Sequence, residues 1–306
     1  MTESCKTDDS LRSGIVAMVG RANVGKSTLM NRLLQEKVSI VSDVMQTTRN
    51  LVRGILTEDR GQLVFLDTPG VHKAQHDLGR LMNRIARASA QGADVALLLL
   101  DASSRPREED TGWMRKLIKT GAHCVVACNK SDCGTRYEKD YRDAWMAMVD
   151  SGKNDAMPLW MNISALTGQG VDALLDALFE MTPLGPPLFP EDVLTDFPRN
   201  WAIADIVREK LFALLRQELP HAIAVRIDEV EERKGDWNVR ADILVDKPSQ
   251  KAIVIGNKGR VLRTVRRQAE QELSEMYERK VRLNLWVKVQ KHWARNHWIL
   301  KQLGYV

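Results

Sequence analysis

The sequence predicts an α/β domain with a mostly parallel sheet, followed by a smaller α+β domain. Short apolar runs recur through residues 13–182, and amphipathic helical stretches lie between them, as in a sheet that is covered by helices. A proline-rich stretch then interrupts both patterns near residue 190. At 306 residues the chain is long enough for two hydrophobic cores.

Five apolar runs of four to six residues are interpreted as strands of the first domain. They are Ile15–Val19, Leu63–Leu66, Val95–Leu100, Val125–Cys128 and Trp160–Ile163. Five amphipathic stretches are interpreted as its helices. They lie near Ser27–Gln35, Leu78–Ala90, Glu108–Lys119, Lys139–Val149 and Val171–Met181. Because strands and helices alternate along the chain, right-handed crossovers between parallel strands are expected.

The domain limits are expected where these patterns begin and end. Residues 1–12 are expected to be a disordered tail, since Met1–Ser10 lacks the apolar core of a secretory signal. The α/β domain is expected over residues 13–182 and a linker over residues 183–198. In residues 199–306 the pattern predicts a helix to about Leu219, two strands, helix, turn, helix, strand and a terminal helix.

Charge is divided unevenly between the two parts. Arg199–Val306 carries 22 Lys and Arg against 14 Asp and Glu, whereas the preceding residues carry 23 against 26. A basic domain beside a mildly acidic one indicates either a polyanionic partner or a solvated basic surface. The apolar run Val95–Leu100 is far too short to cross a membrane, so no transmembrane helix is expected.

The four cysteines do not form the paired CxxC clusters of zinc sites or redox motifs. Reduced thiols in a cytoplasmic protein are the expected state. Cys124 and Cys128 lie four positions apart within an apolar strand pattern, and we interpret them as core residues rather than metal ligands.

A phosphate-binding loop is predicted directly after the first strand, where the sequence matches GxxxxGK[ST]. The backbone N–H groups of such a loop surround phosphates, and the following helix N-terminus favours negative charge. Lys26 is expected to contact the β- and γ-phosphates, and the Ser27 hydroxyl is expected to bind Mg²⁺. The expected nucleotide contacts of this loop are Gly20, Asn23, Val24, Gly25, Lys26, Ser27 and Thr28.

A second motif, Asp67-Thr-Pro-Gly70, ends another predicted strand. Asp67 is expected at the carboxyl edge of the sheet, where it can hold Mg²⁺ beside the phosphates. The Gly70 backbone N–H is placed to contact a γ-phosphate, whose loss would release the segment that follows. Alone this motif predicts only a tight turn, but together with the phosphate loop it indicates a metal site and a switch.

The identity of the base is predicted from Asn129-Lys130-Ser-Asp132, which follows a further strand. A carboxylate at Asp132 can accept hydrogen bonds from guanine N1–H and the exocyclic amine, which adenine cannot supply. GTP is therefore expected to be preferred over ATP, because ATP would leave a carboxylate unpaired. Ser164-Ala165 fits a further guanine-contacting loop.

These motifs together resemble those of the translation-factor-related P-loop GTPases. The resemblance implies that Gln46-Thr-Thr-Arg49 is switch I, with Thr48 joining Ser27 and Asp67 on Mg²⁺ in the GTP state. It implies that Lys26, Thr48 and Gly70 act on the reacting phosphates. Bound GTP or GDP and Mg²⁺ are the implied cofactors.

The residue after Gly70 is Val71, where Ras-like proteins carry a glutamine that orients water. An apolar side chain cannot position the attacking water, so slow intrinsic turnover is predicted. GTPases that share this substitution and an asparagine at the position of Asn23 can use a potassium ion. For Asn23 the alternative, that it only stabilises the loop, stays open. His72 and His76 are interpreted as exposed loop residues.

A GxxG turn between two helical stretches is the pattern of a KH module, whose loop clamps the backbone of single-stranded nucleic acid. The flanking helix has one apolar face and one arginine-rich face, which supports this interpretation. The expected RNA contacts are Ile255, Gly256, Asn257, Lys258, Gly259, Arg260 and Arg263. Trp286, Trp293 and Trp298 are interpreted as core or interface residues rather than as stacking partners of bases.

Taken together, QTTR, DTPG, NKSD, the proline-rich linker and the GxxG domain that ends in Leu303-Gly-Tyr-Val306 closely resemble the Era family. The resemblance implies a cytoplasmic GTPase that binds small-subunit ribosomal RNA near its 3′ end and assists assembly of the 30S-type particle. It implies no DNA partner, and it allows peripheral association with the inner face of the plasma membrane. The alternative is a GTP-dependent membrane-associated or cell-cycle adaptor whose second domain binds protein.

Overall fold

The computed structural model describes residues 11–41, 49–70, 77–149, 157–215 and 222–305. Their contacts divide them into two compact units. The first is built from the described residues of Met1–Ser39, Leu51–Lys73 and Met82–Asp196, and the second from those of Ile40–Asn50, Ala74–Leu81 and Phe197–Val306.

The first unit contains six strands. They are β1 (Arg12–Val19), β2 (Val52–Glu58), β3 (Gly61–Asp67), β4 (Val95–Asp101), β5 (Cys124–Asn129) and β6 (Leu159–Asn162). Five helices accompany them along the chain. They are α1 (Lys26–Leu34), α2 (Asp77–Gln91), α3 (Glu108–Thr120), α4 (Glu138–Val149) and α5 (Val171–Met181).

The six strands form one sheet in the order β2-β3-β1-β4-β5-β6. Every neighbouring pair is parallel except β2 with β3, which confirms the predicted mostly parallel sheet. The expected helices are present within one or two residues of their predicted limits. The antiparallel edge strand β2 was not predicted, since its mixed residues form no continuous apolar run.

One apolar core cluster of the first unit lies between the strands β1, β4 and β5 and the helices α2, α3 and α4. Strands β3, β4 and β5 are buried along their whole length, as expected for strands covered on both faces. Cys124 lies within this cluster and Cys128 is buried on the same strand, and burial raises the pKa of each thiol to about 12. Both thiols are therefore neutral packing groups, as the strand pattern predicts.

The proline-rich stretch packs against the edge of this sheet. Its Phe189 and Val193 contact an apolar cluster on β2 and β3. Buried Gln62 accepts hydrogen bonds from the backbone N–H groups of Leu188 and Phe189, both at 2.8 Å, and donates to the Phe189 carbonyl at 2.9 Å. The proline-rich stretch up to Asp196 therefore packs on the first unit, and we call it the strap. Its residues other than proline keep their backbone N–H groups, which make the hydrogen bonds that hold it.

The second unit contains a three-stranded sheet and three longer helices. Its elements are α6 (Arg199–Leu214), β7 (Ile223–Arg233), β8 (Asp236–Val245), α7 (Pro248–Ile255), α8 (Arg260–Met276), β9 (Val281–Val289) and the short α9 (His297–Gln302). The strand order is β7-β8-β9, with β8 and β9 parallel. Helices α6 and α8 pack on one face of this sheet and bury a separate apolar core. This arrangement is the predicted α+β domain.

Among the described residues no helix is both long and apolar enough to cross a membrane.

Candidate nucleotide and RNA sites

The phosphate loop lies between the end of β1 and the start of α1, as its motif predicts. Lys26 is the first residue of α1 and is 7% exposed, and its ammonium donates to the carbonyl oxygen of Arg21 at 3.3 Å. Burial lowers the pKa of Lys26, and the negative charge of Asp67 opposes that change. A cation held this way in a loop of backbone N–H groups is a phosphate-binding arrangement.

Three oxygen-bearing side chains meet beside Lys26. The hydroxyls of Ser27 and Ser39 donate to the same Asp67 oxygen, at 2.6 and 2.8 Å. Hydroxyl and carboxylate oxygens are ligands that Mg²⁺ prefers, so Ser27 and Asp67 fit the metal role expected of them. Ser39 lies in no recognisable motif, so the sequence did not predict it as part of this site. Asn31 of α1 positions it, since its Oδ1 accepts from the Ser39 backbone N–H at 2.9 Å.

Gly70 lies three residues beyond the end of β3, directly against the phosphate loop. A Cβ at this position would lie 2.6 Å from Ala22 Cα and 2.8 Å from Ala22 N. Only glycine fits between these backbones without displacing one of them. The DTPG turn and the phosphate loop are therefore in contact, as a γ-phosphate sensor requires.

The base-reading motif is tied to the phosphate loop by Asn129. Its amide nitrogen donates to the Val24 carbonyl at 2.7 Å, and its Oδ1 accepts from the Ala165 N–H at 2.9 Å. The neighbouring Ser164 hydroxyl donates to Asp132 at 2.5 Å. This hydrogen bond, together with one from the Cys133 thiol, lowers the pKa of Asp132. The exposed carboxylate is therefore an anion that can accept from guanine.

The switch residues are only partly described. Thr48 of switch I falls outside the described residues, as do Val71, His72 and His76. Asn23 is exposed and has a left-handed backbone with φ of 63°. That conformation suits asparagine in a tight loop and leaves both interpretations of Asn23 open.

Arg49, the last residue of QTTR, groups with the second unit. Its buried guanidinium donates to the Ile223 carbonyl at 2.8 Å and lies 5.6 Å from the centre of the Trp293 ring. Tyr305, whose ring centre is 5.8 Å from the same guanidinium, also accepts from Arg208 at 2.8 Å. Arg49 is thus a core residue of this unit, which the resemblance to switch I did not predict.

The GxxG turn connects α7 to α8, as a KH module requires. Gly256 has φ of 72° and a Cβ there would collide with Val261, so the turn depends on glycine at this position. Lys258, at φ of 50°, occupies the tip. Arg263 reaches back from α8 and donates to the Lys258 carbonyl at 2.9 Å, which closes the turn.

The two faces of α8 are divided as predicted. Val265, Ala269 and Leu273 are buried, and the arginine side of the helix is exposed. Asn257, Lys258 and Arg260 are exposed beside the turn, whereas Ile255 is half-buried at the end of α7. The turn therefore presents cations and backbone N–H groups to solvent next to a partly apolar wall.

Of the three tryptophans that were expected in a core or an interface, Trp293 is buried and the other two are exposed. Trp293 is buried, as predicted for a core residue, and its indole N–H donates to the Ala222 carbonyl at 3.0 Å. Trp286 and Trp298 are 66% and 64% exposed, so the core interpretation is wrong for both. Trp286 points to the outer face of β9 because the alternation of that strand buries Val281, Leu283 and Val287 instead.

Comparison with known proteins identifies both parts of the chain. A family model described as 50S ribosome-binding GTPase matches residues 15–130, and a KH domain model matches residues 218–294. Two solved structures are similar over almost the whole chain. Era in complex with MgGDPNP and nucleotides 1506–1542 of 16S ribosomal RNA has a TM-score of 0.89 at 37% identity, covering 97% of this chain and 99% of that one. A variant of Aquifex aeolicus Era bound to GDP and AlF4⁻ has a TM-score of 0.87 at 37% identity, covering 97% and 100%.

Curated relatives agree with the structures. GTPase Era of Geotalea uraniireducens (strain Rf4) is 39% identical over 300 residues, which are 98% of this chain and 99% of the relative. GTPase Era of Crocosphaera subtropica is 37% identical and covers 97% of this chain and 93% of its own length. The similarity in sequence and in fold extends over almost the full length. The chain is therefore a GTPase and belongs to the Era family.

Proposed function

We propose that this GTPase binds small-subunit ribosomal RNA near its 3′ end through residues 199–306 and assists assembly of the small subunit. The observation that carries the proposal is the GxxG turn with its exposed cations, in the same chain as a guanine-nucleotide site. The similar Era structure holds nucleotides 1506–1542 of 16S ribosomal RNA, which supports the same class of partner here. Phosphate contacts to the basic face supply affinity, and bases that enter the groove beside α7 supply specificity.

We assign the nucleotide to residues 13–182. Lys26 neutralises the β- and γ-phosphates, Asp132 reads guanine, and Gly70 contacts the γ-phosphate through its N–H. Ser27 and Asp67 hold Mg²⁺, which neutralises charge that develops on the phosphates; Thr48 is assigned to the same metal on the resemblance alone. The remaining contacts come from the phosphate loop and the Ser164-Ala165 loop, which Asn129 holds together.

We propose slow intrinsic hydrolysis, because Val71 cannot orient water. Whether a monovalent cation beside Asn23 contributes is decided by measuring single-turnover hydrolysis in potassium and in sodium at equal ionic strength. A rate that is higher in potassium and falls in Asn23→Ala supports the cation. Equal rates in the two salts leave Asn23 as a loop residue only.

The nucleotide state is proposed to change RNA binding, since a γ-phosphate that orders the switches shifts the population of binding-competent states. The test measures the Kd of a single-stranded 3′-terminal ribosomal RNA fragment for the protein loaded with GDP or with a non-hydrolysable GTP analogue. We expect the RNA to bind more tightly in one nucleotide state than in the other. This difference in Kd should be lost in Gly256→Asp and in Gly259→Asp. Equal binding in both states that these variants leave unaltered contradicts the proposal.

We place the protein in the cytoplasm, where its RNA partner is assembled. The adaptor function is not favoured by the relatives, which are Era GTPases along their whole length. Peripheral attachment to the plasma membrane is a proposal that the basic charge of the second unit permits. RNA that copurifies with the protein and is released at high salt supports the RNA-binding function. Protein free of RNA that sediments with anionic vesicles instead supports attachment to a membrane.

A further inference from the structure

A buried charge cluster lies behind the phosphate loop. Arg21, which follows Gly20, directs its side chain into the domain, where Nη2 donates to Ser104 Oγ at 2.6 Å and to Asp101 Oδ2 at 3.4 Å. Its Nε lies 3.1 Å from Asp110 Oδ2. The carbonyl oxygen of the same Arg21 accepts from Lys26. Arg21 therefore connects the phosphate-binding lysine to acidic groups in the interior.

Asp101 connects this cluster to the base-reading motif. It ends β4 and is paired in register with Asn129 of β5, so its carboxylate lies beside the loop that follows Asn129. The same Oδ2 that accepts from Arg21 accepts from the Lys130 ammonium at 3.0 Å. Its Oδ1 is held by the Ser103 N–H at 3.1 Å and the Ser103 hydroxyl at 2.6 Å. A single carboxylate oxygen thus contacts both nucleotide-binding loops.

The charges of the cluster favour this contact of Asp101 with Arg21 and Lys130, which forms a bridge between the two loops. Burial acts to raise the pKa of Asp101, but hydrogen bonds from Ser103 and Lys130 and the charge of Arg21 lower it below its ordinary value. Burial raises the pKa of Asp110 despite the nearby Arg21. Asp101 is therefore the carboxylate that stays ionised between the two cations. The side chains of Arg21 and Asp101 are each 9% exposed, so solvent screens their pair weakly.

We propose that Asp101 is a positioning residue for guanine nucleotide, which sets the spacing between the phosphate loop and the base-reading loop. The two loops bind opposite ends of one ligand, so a fixed spacing lowers the ordering cost when both ends bind at once. A ligand that engages only the base loop gains nothing from this spacing. The proposal rests on the assignment of the nucleotide to Lys26 and Asp132. It predicts that the loss of affinity on replacing Asp101 grows with the number of phosphates that the ligand carries.

The test uses Asp101→Asn, which keeps an acceptor for Ser103 and removes the charge. The Kd values of GMP, GDP and GTP are measured by competition with a fluorescent GDP analogue in the full-length protein. We expect GDP and GTP to bind about tenfold more weakly and GMP less than about twofold more weakly, so the Kd ratio of GMP to GDP falls about fivefold. An unchanged ratio, with all three ligands weakened equally or not at all, overturns the proposal.

Two further variants separate the bridge from its surroundings. Asp110→Asn removes another carboxylate beside Arg21 and leaves the Asp101–Lys130 pair in place. The Kd ratio of GMP to GDP should therefore equal that of the unmodified protein. If this variant lowers the ratio as much as Asp101→Asn does, the effect belongs to the whole cluster and the bridge is contradicted. Should Asp101→Asn fail to fold, Arg21→Met breaks the bridge from the phosphate loop and should lower the ratio in the same way; an unchanged ratio there overturns the proposal.

Asp132→Asn distinguishes this inference from the site assignment on which it rests. If Asp132→Asn leaves GDP affinity unaltered, the assignment of the base to Asp132 is wrong. If it weakens GDP while Asp101→Asn leaves the ratio of GMP to GDP unchanged, the assignment stands and the bridge alone is contradicted.

Discussion

The Ser164 hydroxyl is the largest influence that lowers the pKa of Asp132, ahead of the Cys133 thiol. The Ser164 hydrogen bond lowers the pKa of this carboxyl, so the anion that accepts from guanine persists above the lowered pKa and is lost only as the pH falls through it. The unmodified protein should therefore retain nucleotide affinity in mildly acidic buffer. Ser164→Ala returns the pKa towards its ordinary value, and its affinity should begin to fall at a higher pH.

The measurement is the Kd of GDP for both proteins from pH 8 to about pH 3, which includes the ordinary pKa of an aspartic acid at about 3.9. Comparing the two proteins at each pH cancels the titration of the ligand's own phosphates. Superimposable pH profiles would show that the Ser164 hydrogen bond has no influence on Asp132. A Ser164→Ala protein that binds more weakly by one constant factor at every pH would show that the hydroxyl stabilises the loop without changing the pKa.

Gly70→Ala should separate GTP hydrolysis from GDP binding. The added Cβ would displace either this turn or the Ala22 backbone, and the proposed N–H contact exists only with a γ-phosphate. We expect single-turnover hydrolysis to slow at least about tenfold, because removing one oriented donor costs that much or more. The GDP Kd should change less than about twofold.

Gly112→Ala in α3 is the matched control for that substitution. A Cβ at Gly112 meets no atom within 4 Å, and alanine favours a helix over glycine. Hydrolysis should be unchanged and the free energy of unfolding should rise by about 0.5–1 kcal/mol. If Gly70→Ala hydrolyses GTP as fast as Gly112→Ala, the close approach at Ala22 has no role in catalysis.

At the scale of elements, the strap over the sheet edge depends on Gln62. Gln62→Ala would remove the acceptor of the part-buried N–H groups of Leu188 and Phe189. We expect the first unit to lose about 1–3 kcal/mol of unfolding free energy, since each lost hydrogen bond costs about 0.5–1.5 kcal/mol where water can replace part of it. Urea denaturation followed by the fluorescence of Trp113 and Trp145, both buried in this unit, measures this decrease.

Gln169→Ala is the control for the strap. Gln169 is exposed in the same unit, so its truncation should change the unfolding free energy by less than about 0.5 kcal/mol. Equal stability of the two variants would mean that the strap contributes no stability through Gln62. The result also bears on the domain limits, because a strap that stabilises the first unit belongs with residues 13–182 rather than to a free linker.

At the scale of the whole molecule, the excess positive charge of the second unit predicts salt-dependent RNA binding. Lys247–Lys301 contains 14 Lys and Arg against 4 Asp and Glu. Arg260→Gln combined with Arg267→Gln should weaken RNA binding and reduce the slope of log K against log salt by about 0.7 for each phosphate that the double variant no longer neutralises. Nucleotide affinity should be unchanged.

Arg233→Gln serves as the comparison for the arginine pair. Arg233 is exposed at the end of β7 and paired with Glu231, so its replacement should leave the RNA salt slope unchanged. The assay is fluorescence anisotropy with a single-stranded ribosomal RNA fragment at several salt concentrations. An equal reduction of the slope by Arg233→Gln would indicate diffuse attraction to the whole unit rather than binding along α8.

Local patterns predicted most of the helices and strands because each depends on neighbours in the chain. The alternation of apolar runs and amphipathic stretches placed β1, α1 and β3 within a few residues. The edge strand β2 escaped prediction, since only its pairing with β3 defines it. Trp286 was misassigned for a similar reason, because the buried face of β9 depends on which side α8 covers.

By itself the sequence determined the order of the elements, the phosphate loop, the DTPG and NKSD motifs and the GxxG turn, because each is a short segment whose backbone chemistry is local. Only the tertiary structure decided that Ser39 joins Asp67, that Gln62 holds the strap, and that one oxygen of Asp101 bridges Arg21 and Lys130. These groups lie far apart in the chain, and they meet only when packing orders the strand ends side by side.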